Sequence, residues 1–153
     1  MVRFAGGTMG NGRNSVVIDV KSSFEMVDLV QVVFESLSAQ AGLDPDSAHW
    51  MSVAIRESVT NAVRHGNKLD ASKRVTVLFE HLPNEFSVTV QDEGEGFDPS
   101  QIPDPLAEEN LLRTSGRGIF FMNSFMDKVS YEFKPYRGTR VTMVKKFDGL
   151  RSS

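Results

Sequence analysis

In the stretch ESVTNAVRHGN, Glu57 and Asn61 stand four residues apart in what otherwise reads as one continuous helix. At that spacing two side chains share one helix face, stacked a turn apart. Asparagine is a poor interior helix residue, because its side chain competes for backbone hydrogen bonds, and Asn61 caps nothing here. A carboxylate beside a neutral amide oxygen has a chemical use. The glutamate accepts a proton. The amide lends an oxygen to a hard cation such as Mg²⁺, which takes few protein ligands when phosphate oxygens supply the rest. Taken alone, the pair is also what a solvated helix face would carry. His65, one further turn on, is read as a helix-end histidine beside the carbonyl dipole rather than as a catalyst.

Two glycine loops come next. DEGEGFDP, residues 92–99, comes directly after a strand pattern, and the chain beyond it does not return as a strand, which disfavours a hairpin. Asp92 is then a fixed carboxylate at the mouth of a loop. Gly94 and Gly96 allow a ligand or another backbone to approach closely. No helix opens after this loop, so it does not match the dinucleotide-binding fingerprint. SGRGIFF, residues 115–121, sets Gly116 and Gly118 at a helix start, where free N–H groups and the helix dipole suit phosphate, and Arg117 adds positive charge. Each loop by itself is equally a plain glycine turn or a loop-to-helix joint.

These residues need elements to hold them. SVVIDVK, residues 15–21, is rich in β-branched residues and reads as a strand. Ser22 or Ser23 offers an N-cap for a helix running to about Ala41 and stopped by Gly42. Asp44 caps a second helix, with Pro45 in its first turn. It runs to about His65, with Gly66 as its stop. Met51, Ile55, Val59, Ala62 and Val63 make one apolar stripe on it. Glu57 and Asn61 lie opposite, with Trp50 and Ala54. RVTVLFEHL and EFSVTVQDE alternate apolar and polar residues around Pro83-Asn84 and predict an antiparallel pair. Residues 93–115 carry no strand signal and read as a long loop with one or two helical turns, a length that points to function or disorder. GIFFMNSFMD predicts a helix, and KVSYEFK and TRVTMVKKF two strands around a turn at residues 135–138. The order is strand, two helices, two strands, long loop, helix, two strands. It predicts an α+β two-layer sandwich: a mixed, mostly antiparallel sheet covered on one face by helices.

Composition narrows the class. A chain of 153 residues suits one domain with a sizeable core. A net charge of −3 gives no basic field for nucleic acid. With no cysteine there is no disulfide framework, thiolate metal site or cysteine nucleophile. No apolar run is long enough to span a membrane, and the N-terminus lacks the apolar core of a secretory signal, so a cytoplasmic setting is expected. Residues 1–14 hold four glycines and read as a flexible N-terminal arm ahead of one domain, residues 15–148.

Taken in order, the motifs are more specific than any one of them. A helix with E-x-x-x-N, a strand ending in D-x-G-x-G, a long loop, G-x-G opening a helix and a closing strand with Gly138-Thr139 together resemble the Bergerat ATP-binding fold. That fold is shared by gyrase-type topoisomerases, Hsp90, histidine kinases and MutL, the GHKL superfamily. Within it, the chain's size and SGRGIFFMNSFMDKVSYEF resemble the stand-alone anti-sigma-factor serine kinases of bacterial partner-switching systems. A sensor histidine kinase is disfavoured, because His49 in DSAHWMS lacks the setting of a phosphoacceptor and no second domain fits.

The resemblance implies roles. Glu57 would be the general base for an acceptor serine, and Asn61 would hold Mg²⁺. Asp92 would receive the adenine amine with Thr139 in support. Gly94 and Gly96 would line the nucleotide pocket; Gly116, Arg117 and Gly118 would surround the phosphates, and residues 97–115 would form a lid. Where some members carry an arginine directly before the second box, this chain has Thr114, so Arg113 and Arg117 both stand open for the γ-phosphate. The implied activity is ATP- and Mg²⁺-dependent phosphorylation of a serine on a small anti-sigma-factor antagonist protein, with a sigma factor or other regulator sequestered in turn. The rival reading is a non-catalytic, nucleotide-gated binding module. The resemblance alone also suggests a homodimer, with the arm or first strand as its interface.

Overall fold

The computed structural model describes residues 2–3, 14–94, 124–134 and 138–147. Within them the chain runs β1 (Val2–Arg3), β2 (Asn14–Lys21), α1 (Glu25–Ala41), α2 (Pro45–Asn61), a π-helical turn (Ala62–Gly66), β3 (Arg74–Leu82), β4 (Glu85–Asp92), β5 (Lys128–Lys134) and β6 (Gly138–Lys146). The strands form one sheet in the order β1-β2-β3-β4-β6-β5. Every pairing among them is antiparallel, so the described sheet has no parallel component.

Alternation along the strands sets the layers. Ile18, Val20, Val75, Val77, Phe79, Phe86, Val88, Val90, Val141 and Met143 are buried, while the residues between them on β3 and β4 are half-exposed. The helices cover the buried face. From α1 come Val27, Val30 and Phe34; from α2 and the turn come Met51, Ile55, Val59, Ala62 and Val63, the stripe expected from the sequence. Phe34 sits over the sheet with its ring 5.6 Å edge-on from Phe86 and 6.3 Å from Phe79. This is the predicted α+β sandwich.

Helix ends obey their local chemistry. Asp44 Oδ2 accepts from the Ser47 amide at 3.0 Å, with Pro45 at the first position of α2. Gly42 closes α1 in the left-handed conformation, φ 76°. Two ends differ from expectation. Ser23 and Ser22 do not cap α1 in the usual way: its N-cap is Phe24, without a side-chain bond. Ser23 Oγ accepts from Glu25 N at 3.3 Å, and Ser22 is buried and turned elsewhere. At the other end α2 stops as an α-helix at Asn61 and widens into the π turn, so Gly66 is not a left-handed stop.

Val2 and Arg3, within the segment read as a flexible arm, pair with Ile18 and Val17 of β2. The proposed lid, residues 97–115, and most of the helix expected over GIFFMNSFMD lie outside the described residues. Among the described residues no helix is long and apolar enough to cross a membrane.

Candidate functional site

Helix α2 carries Glu57 and Asn61, and the apolar stripe that packs on the sheet fixes its roll. That packing leaves the Glu57–Asn61 face half-buried. Trp50, on the same side, stacks flat on Phe125 with ring centroids 4.2 Å apart, and Ala54 beneath is fully buried. The face is therefore a partly covered wall rather than open surface. Burial pushes the Glu57 carboxyl above its ordinary range, and the positive charge of Arg64 offsets part of that rise. A carboxylate raised toward neutral pH is suited to taking up a proton. Among the described residues neither the Glu57 nor the Asn61 side chain is held by a hydrogen bond.

Among the described residues no cluster of three or more His, Cys, Asp or Glu side chains is placed to hold a metal ion. Asn61 offers one neutral amide oxygen. That set does not suit a resident structural ion, but it fits a Mg²⁺ ion that arrives with phosphate oxygens and water as its other ligands.

Asp92 closes β4 and is only 3% exposed. Its Oδ1 accepts from two backbone amides, Gly94 N at 2.9 Å and Thr139 N at 3.1 Å. Oδ2 accepts nothing from the described residues. One oxygen is thus saturated and orients the group, while the other remains an acceptor. Burial pushes this carboxyl up as well. The amides of Gly94 and Thr139, and then the charge of Lys73, pull it back in part.

Glycine makes the surrounding packing possible. A Cβ on Gly66 would press into the Asp92 carboxylate and lie 2.9 Å from Asp92 Cβ. One on Gly94 would strike the Gly66 carbonyl, and one on Gly138 the Asp92 carbonyl. Gly138 also holds φ 94°, a conformation that L side chains avoid. Three segments far apart in sequence therefore converge on one carboxylate: the end of the π turn, the loop after β4 and the start of β6.

The structure brings together Asp92, Gly94 and Thr139, and it joins Glu57 and Asn61 to them through the five-residue turn that ends at Gly66. Gly96, Gly116, Arg117 and Gly118 lie outside the described residues, as do Arg113 and Thr114. His65 is exposed at the turn, and His49 rests edge-on against Trp50 with ring centroids 5.0 Å apart. Sequence reasoning includes Gly66, Asn67 and Gly138 in its motif segments but gives none of them a role at the site. It reads Gly66 as a helix stop and Gly138 only as part of the closing strand. Asn67 is completely buried in a hydrogen-bonded position. Its one sequence signal is a polar residue directly after His-Gly.

Known proteins resemble this chain in sequence and in fold. A family model described as the histidine kinase-like ATPase domain matches residues 20–145. The serine-protein kinase RsbW of Staphylococcus aureus is 29% identical over 144 residues, which cover 90% of this chain and 89% of that protein. The serine-protein kinase RsbW of Bacillus subtilis is 27% identical over 155 residues, covering 94% and 92%. Among solved structures, the histidine kinase domain of a blue-light activated histidine kinase from Erythrobacter litoralis superposes with a TM-score of 0.51 at 14% identity. The match covers 82% of this chain and 61% of that one. At that identity it speaks for the fold alone.

Proposed function

The chain belongs to the histidine kinase-like ATPase domain family, and from that premise we propose that it is an ATP-dependent serine-protein kinase. Relatives spanned over nearly their whole length carry the name serine-protein kinase. The observation that carries the reading is Glu57: a half-buried carboxyl raised toward neutral pH, one helical turn from an amide that a phosphate-bound cation can use. A merely solvated glutamate would show no such rise.

In this reading ATP enters with its adenine amine donating to Asp92 Oδ2 and its phosphates directed toward Asn61. Glu57 takes the proton from an acceptor serine hydroxyl. The serine oxygen forms a bond to the γ-phosphorus as the bond to the β-phosphate oxygen breaks, and ADP leaves. Phosphoryl transfer asks a protein mainly for positioning and charge neutralisation. Asn61 would help to hold a Mg²⁺ ion brought in with the nucleotide, and the ion would supply part of that neutralisation. Gly116, Arg117 and Gly118 would complete the phosphate cradle.

For substrate, we favour a small anti-sigma-factor antagonist protein, with a sigma factor or other regulator as the sequestered partner, in the cytoplasm. The support is the family resemblance carried by SGRGIFFMNSFMDKVSYEF. The test incubates the protein with γ-labelled ATP, Mg²⁺ and candidate antagonist proteins. Label on a serine of one antagonist, lost in Glu57→Gln, supports the kinase. Nucleotide-dependent retention of a partner with no label transferred supports a nucleotide-gated binding module instead.

A further inference from the structure

Asn67 is 0% exposed, the lowest value of any polar residue among those described. An asparagine amide has two N–H donors and one carbonyl acceptor, and here all are used. Nδ2 donates to Ser22 Oγ at 3.0 Å and to the Arg74 carbonyl at 3.0 Å. Oδ1 accepts from the Glu93 amide at 2.8 Å. Its own backbone N–H donates to the Ala62 carbonyl at 2.8 Å and closes the π turn. A further bond completes a ring: Arg74 N donates to Glu93 Oε1 at 2.8 Å. Asn67, Arg74 and Glu93 therefore hold one another in a closed cycle.

The cycle has a particular place. Ser22 directly follows β2, Arg74 begins β3, and Glu93 is the residue after Asp92. The amide that Oδ1 holds is thus the peptide group on the C-terminal side of Asp92. On its other side Asn67 comes after Gly66, whose Cα lies against the Asp92 carboxylate. Two neighbouring residues, Gly66 and Asn67, bracket Asp92 from side chain and main chain.

We propose that Asn67 is a positioning residue for Asp92, and that through it Asn67 sets the base selectivity of the nucleotide site. This rests on the reading that Asp92 receives the adenine amine. The chemistry asks for an amide. Aspartate at position 67 would face the Arg74 carbonyl with an acceptor. Serine is too short to reach three partners, and glutamine carries an extra methylene in a site with no exposed surface. Without the amide, the Glu93 N–H and the Arg74 carbonyl lose their buried partner, and the peptide group after Asp92 loses one restraint, leaving the β3 pairing and the amides of Gly94 and Thr139 to hold the residue. Oδ2 is then held less closely where a base amine can meet it.

A purely structural asparagine would lower the affinity for every nucleotide alike. The deciding experiment is a double-mutant cycle read by ATP and GTP affinity, with Asn67→Ala, Asp92→Asn and the pair. Asn67→Ala is expected to weaken ATP by about tenfold and to change GTP by less than about twofold, so the ATP:GTP ratio collapses. In the Asp92→Asn background the same substitution should change ATP affinity by less than about twofold, because the group it positions is already gone. Glu93→Ala opens the cycle at an exposed residue, where less packing is at stake than at Asn67. It should give the same pattern in smaller measure, and it carries the test should Asn67→Ala fail to fold. Equal losses for ATP and GTP, or a full additional loss in the Asp92→Asn background, would overturn the proposal alone. An ATP:GTP ratio that Asp92→Asn leaves intact would overturn the base reading and the proposal with it.

Discussion

Asp92→Asn should make the empty protein no less stable while making it a poorer ATP binder. Asp92 is 3% exposed and burial has raised its carboxyl above the ordinary range. The folded state therefore holds a proton there more tightly than the unfolded chain does. Stability from this group is full below the unfolded value, near 3.8, and is lost as pH rises through the higher folded value. At neutral pH the ionised carboxylate is held in the fold at a cost. Asparagine keeps the shape and one carbonyl oxygen for the amides of Gly94 and Thr139, and it removes the charge. What it loses is Oδ2. A charge-assisted hydrogen bond to a base amine contributes roughly 1.5–3 kcal/mol, or roughly ten- to hundredfold in affinity.

Two assays read the two halves. Denaturant unfolding of the nucleotide-free protein at pH 7 should give a midpoint for the variant equal to or above that of the parent, and the difference should close as pH falls toward 4. Competition binding should show ATP outcompeting GTP by at least about tenfold in the parent. Most of that preference should vanish in the variant, because asparagine presents an N–H to the guanine carbonyl. A variant that is clearly less stable at pH 7, and weaker for both nucleotides by the same factor, would refute the reasoning. Asp92 would then be a structural carboxylate that the fold needs charged.

Three further outcomes are expected. Glu57→Gln should leave ATP binding nearly intact and cut phosphotransfer about 10²- to 10⁴-fold. The parent's turnover should rise with pH through the raised Glu57 value and the variant should lack that rise; parallel losses of binding and turnover would make Glu57 structural. Asn61→Ala should weaken ATP far more in Mg²⁺ than in EDTA, and an equal loss in both buffers would exclude a metal role. Gly66→Ala forces a methyl against the Asp92 carboxylate, so it should destabilise the protein by about 1–3 kcal/mol and weaken ATP. Unfolding and binding both unchanged from the parent would show that Gly66 and Asp92 do not pack as described.

Much of the fold was legible because its signals are local. The period of two in RVTVLFEHL and EFSVTVQD, the stripe from Met51 to Val63 and the Asp44-Pro45 cap each act within a few residues. Glu57, Asn61 and Asp92 could be singled out from equally short windows: Asn61 as a poor interior helix residue, Glu57 as its neighbour one turn back, and Asp92 as a carboxylate at a strand end. The environment of Asp92 could not. Its neighbours Gly66 and Gly138 come from other elements, and their need for glycine arises from a contact that no short window contains. Asn67 is the extreme case, since its side-chain partners lie 45, 7 and 26 residues away.

The π turn is the hardest feature to read and explains the others. In a regular α-helix the amide of residue 67 would donate four residues back. Here it donates to Ala62, five back. The extra residue rotates the chain beyond it by about 100° relative to an unbroken helix. That rotation turns Gly66 onto Asp92 and aims the Asn67 amide at the residue after β2, the start of β3 and the residue after β4. The composition AVRHG carries no mark of it, because alanine, valine, arginine and histidine sit equally well in either kind of turn. The wider turn accounts for the ending His-Gly-Asn. Glycine is required where the turn meets the carboxylate, and asparagine where an amide must bind three segments at once. The helix that bears Glu57 and Asn61 is thereby joined to the strand end that bears Asp92, so in the proposed reading catalysis and base recognition share one joint.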